Sequence, residues 1–170
     1  MSTSLSTSTS TSVSLDWYFE DFYPGQVIEL GSRFVTEEEI IEFAGKYDPQ
    51  PFHLDPEAAA ESIFGGVIAS GWHTCSMMMR LVVDGLMAAS SSMGSPGLDK
   101  VRWLQPVRAG DTLQVRYETM TTKPSESKLD RGVVWSRWVA RNQHGVDVCI
   151  IEGMGMFRRR PPAEKGEAHA

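Results

Sequence analysis

Along Leu113 to Glu118 apolar and polar residues alternate: Leu113, Val115 and Tyr117 interleave with Gln114, Arg116 and Glu118. A period of two sends the two sets to opposite faces, so the run predicts a half-buried strand. Gln26 to Val35 alternates similarly, and Val133 to Arg141, carrying Trp135, Trp138 and Val139, also reads as a strand. Val146 to Phe157 is apolar on both faces, with Val148, Ile150, Met154 and Met156 on one and Cys149, Ile151 and Phe157 on the other. That pattern suits a central strand. Gln143-His144-Gly145 before it predicts a turn, as does Pro24-Gly25 near the start.

Elsewhere the period changes to that of a helix. Thr36-Glu37-Glu38-Glu39 has the form of a capping box, with three acids at the positive end of the helix dipole. Ile40, Ile41, Phe43 and Ala44 supply its apolar stripe, and Gly45 and Pro49 bound its end. Asp55-Pro56-Glu57 opens a short helix reaching about Ile63, which Phe64-Gly65-Gly66 breaks. From Trp72 to Met87 apolar residues cover most of the helix circumference, which predicts a helix buried on most sides. At roughly 1.5 Å per residue it is about 24 Å long, a length that a curved sheet can wrap. One buried helix followed by a run of antiparallel strands predicts an α+β domain. The sequence shows no internal repeat.

A chain of 170 residues is enough for one domain with a real core. The net charge of −6 argues against nucleic-acid binding, which relies on basic neutralisation of phosphates. No apolar stretch is long enough to span a bilayer. Residues 1–15 are nearly all Ser and Thr, with neither Lys, Arg nor an apolar run, and are expected to form a disordered tail rather than a secretory signal. The folded domain is expected over residues 16–160, followed by a flexible tail over 161–170, with Arg158-Arg159-Arg160 as a solvated strand end. Cys75 and Cys149 sit singly in apolar runs, with no metal-site spacing and no disulfide framework. The expectation is two buried thiols in a reducing, cytoplasmic compartment.

The densest chemical signal is Tyr47-Asp48-Pro49-Gln50-Pro51-Phe52-His53. It sets a carboxylate and an imidazole five residues apart on a segment that two prolines hold out of a helix. An acid and a base so close on restrained backbone suit general acid–base chemistry on a small molecule. The same spacing also fits an aspartate that caps a turn and a histidine satisfied by a backbone carbonyl. Ser70-Gly71 precedes the long helix, where backbone N–H groups are unpaired and the dipole is positive. Gly71 would let a ligand oxygen approach, or would merely permit close packing. His73, Ser76 and Arg80 read as core or interface residues, with His73 hydrogen-bonded. Met77-Met78-Met79 reads as apolar filler. The sequence lacks a Gly-x-Ser-x-Gly elbow, a phosphate-binding glycine loop and a dinucleotide fingerprint.

Tyr47 to Pro56, followed by Phe64-Gly65-Gly66-Val67-Ile68-Ala69-Ser70-Gly71, resembles the MaoC-like dehydratases, or R-specific enoyl-CoA hydratases. His53 and Gly71 have the separation found there between the motif histidine and the helix-start glycine. Val101 to Asp111 resembles the strand and turn that follow the helix in these proteins, so the likeness runs from about Trp17 to Arg158. The resemblance implies a hotdog fold, a long helix wrapped by a curved antiparallel sheet, in dimers whose sheets join edge to edge. It implies that Asp48 and His53 are the catalytic pair, and that Gly71 offers the oxyanion N–H, with Ser70 and Gln50 in the same substrate-binding group. The implied reaction is addition or removal of water across the C2–C3 bond of a CoA or acyl-carrier-protein thioester, as in fatty-acid metabolism, with neither cofactor nor metal. A non-catalytic acyl-binding hotdog subunit and a thioesterase are the alternatives. The latter would need a carboxylate on the long helix, where only Asp84 occurs, late in the run. Gln50 stands where the family usually has Asn, Phe52 replaces a small aliphatic residue, Tyr47 replaces a frequent glycine, and Met79 falls near a serine of some members.

Overall fold

A computed structural model of the chain describes residues 15–162. Residues 1–14 of the expected Ser/Thr-rich tail and residues 163–170 of the expected C-terminal tail lie outside the described residues.

The alternating stretches are strands: β1 (Val27–Phe34), β3 (Thr112–Pro124), β4 (Arg131–Arg141) and β5 (Asp147–Arg158). The fifth, β2 (Leu98–Trp103), lies between the long helix and β3 in sequence. All neighbours pair antiparallel, in the order β1-β3-β4-β5-β2. As its two apolar faces predict, β5 is an interior strand, flanked by β4 and β2. Inward-facing Leu113, Val115 and Tyr117 are buried, and the phenol of Tyr117 is pushed up to about 12 by that burial. The polar residues between them face outward, where ion pairs run along β3, as in Arg116–Glu118 at 2.7 Å, and between β4 and β5, as in Arg137–Glu152 at 2.8 Å.

The helices are α1 (Glu37–Tyr47), α2 (Pro51–Leu54), α3 (Pro56–Glu61) and α4 (Gly71–Gly85). The first three occupy the single connection between β1 and α4. Thr36 caps α1 by accepting from the Glu39 N–H at 3.2 Å. The Glu39 carboxylate does not complete the expected capping box; it accepts instead from the Arg33 guanidinium. Gly45 does not end the helix, which runs to Tyr47 and stops where Pro49 forces Asp48 out of helical geometry, to φ −151° and ψ 65°.

Helix α4 lies against the sheet, with Met77, Met78 and Val82 in the core beside Val115, Tyr117, Ile151 and Phe157. This is the hotdog arrangement. The expectation of burial on most sides is corrected: Trp72 is 58% exposed, Met79 45% and Val83 37%. Five strands cover one side of the helix, and the apolar residues on its other flank stand uncovered by the described residues. His73 is buried and stacked on Phe43, with ring centroids 4.8 Å apart, but its Nδ1 has no hydrogen-bond partner among the described residues, unlike the satisfied histidine expected. Cys149 is buried, Cys75 only partly, and both are free thiols. The arginine run at the end of β5 is exposed as expected, yet tethered: Arg159 bonds Glu20 and Arg160 bonds Asp21.

Candidate active site

Asp48 and His53 meet where the α1–α2 connection folds back on the start of α4. The two prolines act differently. Pro49 releases Asp48 from α1, whereas Pro51 occupies the first position of α2, where its fixed φ favours a helix. His53 therefore sits on a helical turn, which corrects the expectation that both prolines hold this segment out of a helix.

His53 is 4% exposed. Its Nδ1 lies 2.7 Å from the Ile68 carbonyl oxygen, and since a carbonyl only accepts, Nδ1 carries the hydrogen. That bond leaves Nε2 directed at Asp48 Oδ2, 3.3 Å away. The histidine is thus both satisfied by a backbone carbonyl and aimed at the carboxylate.

Two donors hold the carboxylate. The Ser70 hydroxyl donates to Oδ2 at 2.7 Å, and the Gln50 amide donates to Oδ1 at 2.7 Å. Gln50, one methylene longer than the usual Asn, still reaches the aspartate. The Ser70 bond, then the Gln50 bond, hold the Asp48 carboxyl below its ordinary range against the opposing pull of partial burial. A carboxyl whose folded pKa is lowered stabilises the fold at pH above its unfolded value, and that contribution is lost as pH falls through the lowered value. Wild type should therefore exceed Asp48→Asn in Tm by a constant margin above the ordinary carboxylate range, and the margin should shrink as acid protonates Asp48. Tm against pH for both proteins checks this; a margin independent of pH would refute it.

Gly71 is the first residue of α4, so its N–H has no acceptor within the helix. The Trp103 ring lies against its Cα: a Cβ added at Gly71 would fall 2.5 Å from Trp103 Cε2. The same indole donates from Nε1 to the Gly71 carbonyl at 2.9 Å. Close packing and an open N–H therefore coexist at this glycine. Ser70 is fully buried and its hydroxyl is engaged, so its side chain is not the substrate-facing group that the sequence suggests.

Asp48, Gln50, His53 and Gly71 line one open cleft of about 460 Å³, walled by Phe52, Phe64, Ile68, Trp72, Trp103 and Leu104. Phe52, the bulky departure noted in the sequence, forms part of that wall. The loop beneath turns through Gly65 at φ +65° and is pinned by Arg108, whose guanidinium donates to the Phe64 carbonyl at 2.5 Å. A fixed carboxylate, an imidazole whose Nε2 faces it and a helix-start N–H with no partner among the described residues converge on a mostly apolar cleft, an arrangement that can move a proton beside a carbonyl group.

The sequence profile of the MaoC-like domain matches residues 21–134, about two thirds of the chain. The chain belongs to the MaoC-like dehydratase family. The crystal structure of a MaoC-like dehydratase from Rhodospirillum rubrum is 40% identical, covers 85% of this chain and 99% of its own, and superposes with a TM-score of 0.80. The Bacillus subtilis protein YdeM is 29% identical over 134 residues, spanning 79% of this chain and 92% of its own length. Protein MaoC of Klebsiella aerogenes is 33% identical over 126 residues; these cover 71% of this chain but only 37% of that longer protein. The matched region contains every polar group of the cleft described above. Sequence reasoning missed Trp103 as a member of this MaoC-like site. Its only signal was an aromatic residue at the end of the strand resembling the family's post-helix strand.

Proposed function

We propose that the protein is a hydro-lyase that adds water to, or removes it from, the C2–C3 bond of an acyl thioester. The observation that carries the reading is the Asp48–His53 pair, 3.3 Å apart, opening on the same cleft as the unpaired Gly71 N–H. The thioester oxygen of a trans-2-enoyl substrate would accept from that N–H, with its acyl chain along the Phe52, Phe64 and Trp103 walls. A water held between Asp48 and His53 gives one proton to Nε2, the nitrogen that bears the lone pair while Nδ1 donates to Ile68. Its oxygen bonds to C3, and the π pair moves through C2 to the thioester oxygen, where the N–H and the helix dipole stabilise the charge. The water's other hydrogen stays on the oxygen that becomes the 3-hydroxyl and is hydrogen-bonded to Asp48, whose charge also stabilises the imidazolium. Nε2 then returns the proton to C2, so one water is consumed and none of the protein's groups is changed.

The test is loss of enoyl-thioester ultraviolet absorbance on adding the protein to crotonyl-CoA and to longer and branched enoyl thioesters. A fall with at least one of them is expected; no fall with any would remove the hydro-lyase reading in favour of a non-catalytic acyl-binding subunit. The thioesterase alternative has less support: Asp84 lies about 20 Å along α4 from Gly71, at roughly 1.5 Å per residue, and pairs with Arg80 at 2.7 Å.

The reading includes a homodimer. Among the described residues, edge strand β2 pairs only with β5, and Trp72, Met79, Val83, Leu98, Trp103 and Leu104 are exposed around it. A second copy covering them would remove both the open edge and the apolar patch. Light scattering should give twice the chain mass of 18.9 kDa; the single-chain mass at micromolar concentration would overturn this.

A further inference from the structure

Ser70 joins two parts of the cleft that lie 22 residues apart in the chain. Its hydroxyl has one hydrogen, which goes to Asp48 Oδ2 at 2.7 Å. The same oxygen accepts the Trp72 N–H at 3.2 Å, capping α4. The side chain is fully buried, so water does not compete for either bond. On the opposite side of the same peptide unit, the Gly71 carbonyl accepts from Trp103 Nε1 at 2.9 Å. The Gly71–Trp72 peptide is thus held at its N–H by Ser70 and at its oxygen by Trp103. The next N–H before it, that of Gly71, opens on the cleft.

We infer that Ser70 is a positioning residue: it fixes the Asp48 carboxylate and the Gly71 N–H in one frame, with Trp103 as the opposing stop on that peptide. The inference deepens the hydro-lyase reading and rests on it for its catalytic consequence. Gln50 alone cannot supply this coupling, because its amide reaches Asp48 from two residues away and makes no hydrogen bond to α4 among the described residues. Ser70 belongs to neither the bond-making nor the proton-carrying groups. Its effect passes through the position and charge of Asp48 and the orientation of the first turn of α4, where small displacements are costly to rate.

The test compares Ser70→Ala, Ser70→Gly, Ser70→Thr and Trp103→Phe. Glycine caps a helix nearly as well as serine, so Ser70→Gly removes the Asp48 bond with little loss of capping. In Ser70→Ala and Ser70→Gly, kcat should fall by about 10²-fold with KM changed little. Ser70→Thr keeps the hydroxyl and should restore kcat. Trp103→Phe keeps a ring beside Gly71 but loses the Nε1 donor; it should lower kcat without moving the Asp48 titration. Retained kcat in Ser70→Gly would overturn the inference. The Asp48 carboxyl titration, followed by carbon NMR, provides a readout free of turnover. Its midpoint should rise in Ser70→Gly, and an unchanged midpoint overturns the inference. If the wild-type protein hydrates no enoyl thioester, the hydro-lyase reading fails, and this titration still decides whether Ser70 controls Asp48.

Discussion

Asp48→Asn should lower kcat/KM for hydration of an enoyl thioester by about 10²–10⁴-fold, the range for loss of a group acting in proton transfer. The change is nearly isosteric, so the consequence is electrostatic. In the wild-type protein both carboxylate oxygens accept from fixed donors, Ser70 on Oδ2 and Gln50 on Oδ1. An amide offers one oxygen and one NH2, so one of these donors would face another donor. The imidazolium formed at His53 would also lose the negative charge beside Nε2. Steady-state rates on the best enoyl thioester, with circular dichroism to verify folding, check this. Activity within threefold of wild type would remove Asp48 from the mechanism.

Gly71→Ala should be comparably severe by another route. The glycine is not needed for a left-handed backbone, since α4 begins there with ordinary geometry. It is needed because the indole of Trp103 occupies the space of a Cβ, with Cε2 at 2.5 Å, Nε1 at 2.7 Å and Cδ2 at 2.9 Å from its ideal position. Either the ring or the first turn of α4 must yield. Overpacking of this kind costs about 1–3 kcal/mol in stability. Displacing an oxyanion donor costs about 10²–10³-fold in kcat. Denaturant unfolding and kcat measured on the same protein test both. In a Trp103→Ala background the added methyl should cost less stability, so a double-mutant cycle identifies the clash. Additive effects would place the strain elsewhere.

The candidate site was legible where its residues are close in the chain and punctuated by residues with strong backbone demands. Pro49 and the glycines at 65, 66 and 71 mark the turns that bring Asp48, His53 and Gly71 together, and those marks survive in one sequence. Pro51 was misread because a proline that breaks a helix when placed inside it favours one when placed first. Trp103 was not legible: it reaches Gly71 from 32 residues away, through a tertiary contact with no periodic trace. The bond between Ser70 and Asp48 was hidden for a related reason, since a hydroxyl can satisfy many partners and only the fold selects one. The strands were readable from alternation, and α4 from its length and apolar content. Its exposed flank of Trp72, Met79 and Val83 was not, because an all-round apolar pattern does not say which chain provides the cover.

Asp48, Gln50, His53, Ser70 and Gly71 all come from residues 48–71, the connection between β1 and α4 together with the first residue of that helix. The strands contribute only a backing, chiefly Trp103. Scaffold and candidate site are therefore largely separable along the chain. Strand residues other than Trp103 can drift under selection for stability alone, while Phe52, Phe64 and Ile68 can be exchanged to reshape the cleft without altering a strand residue.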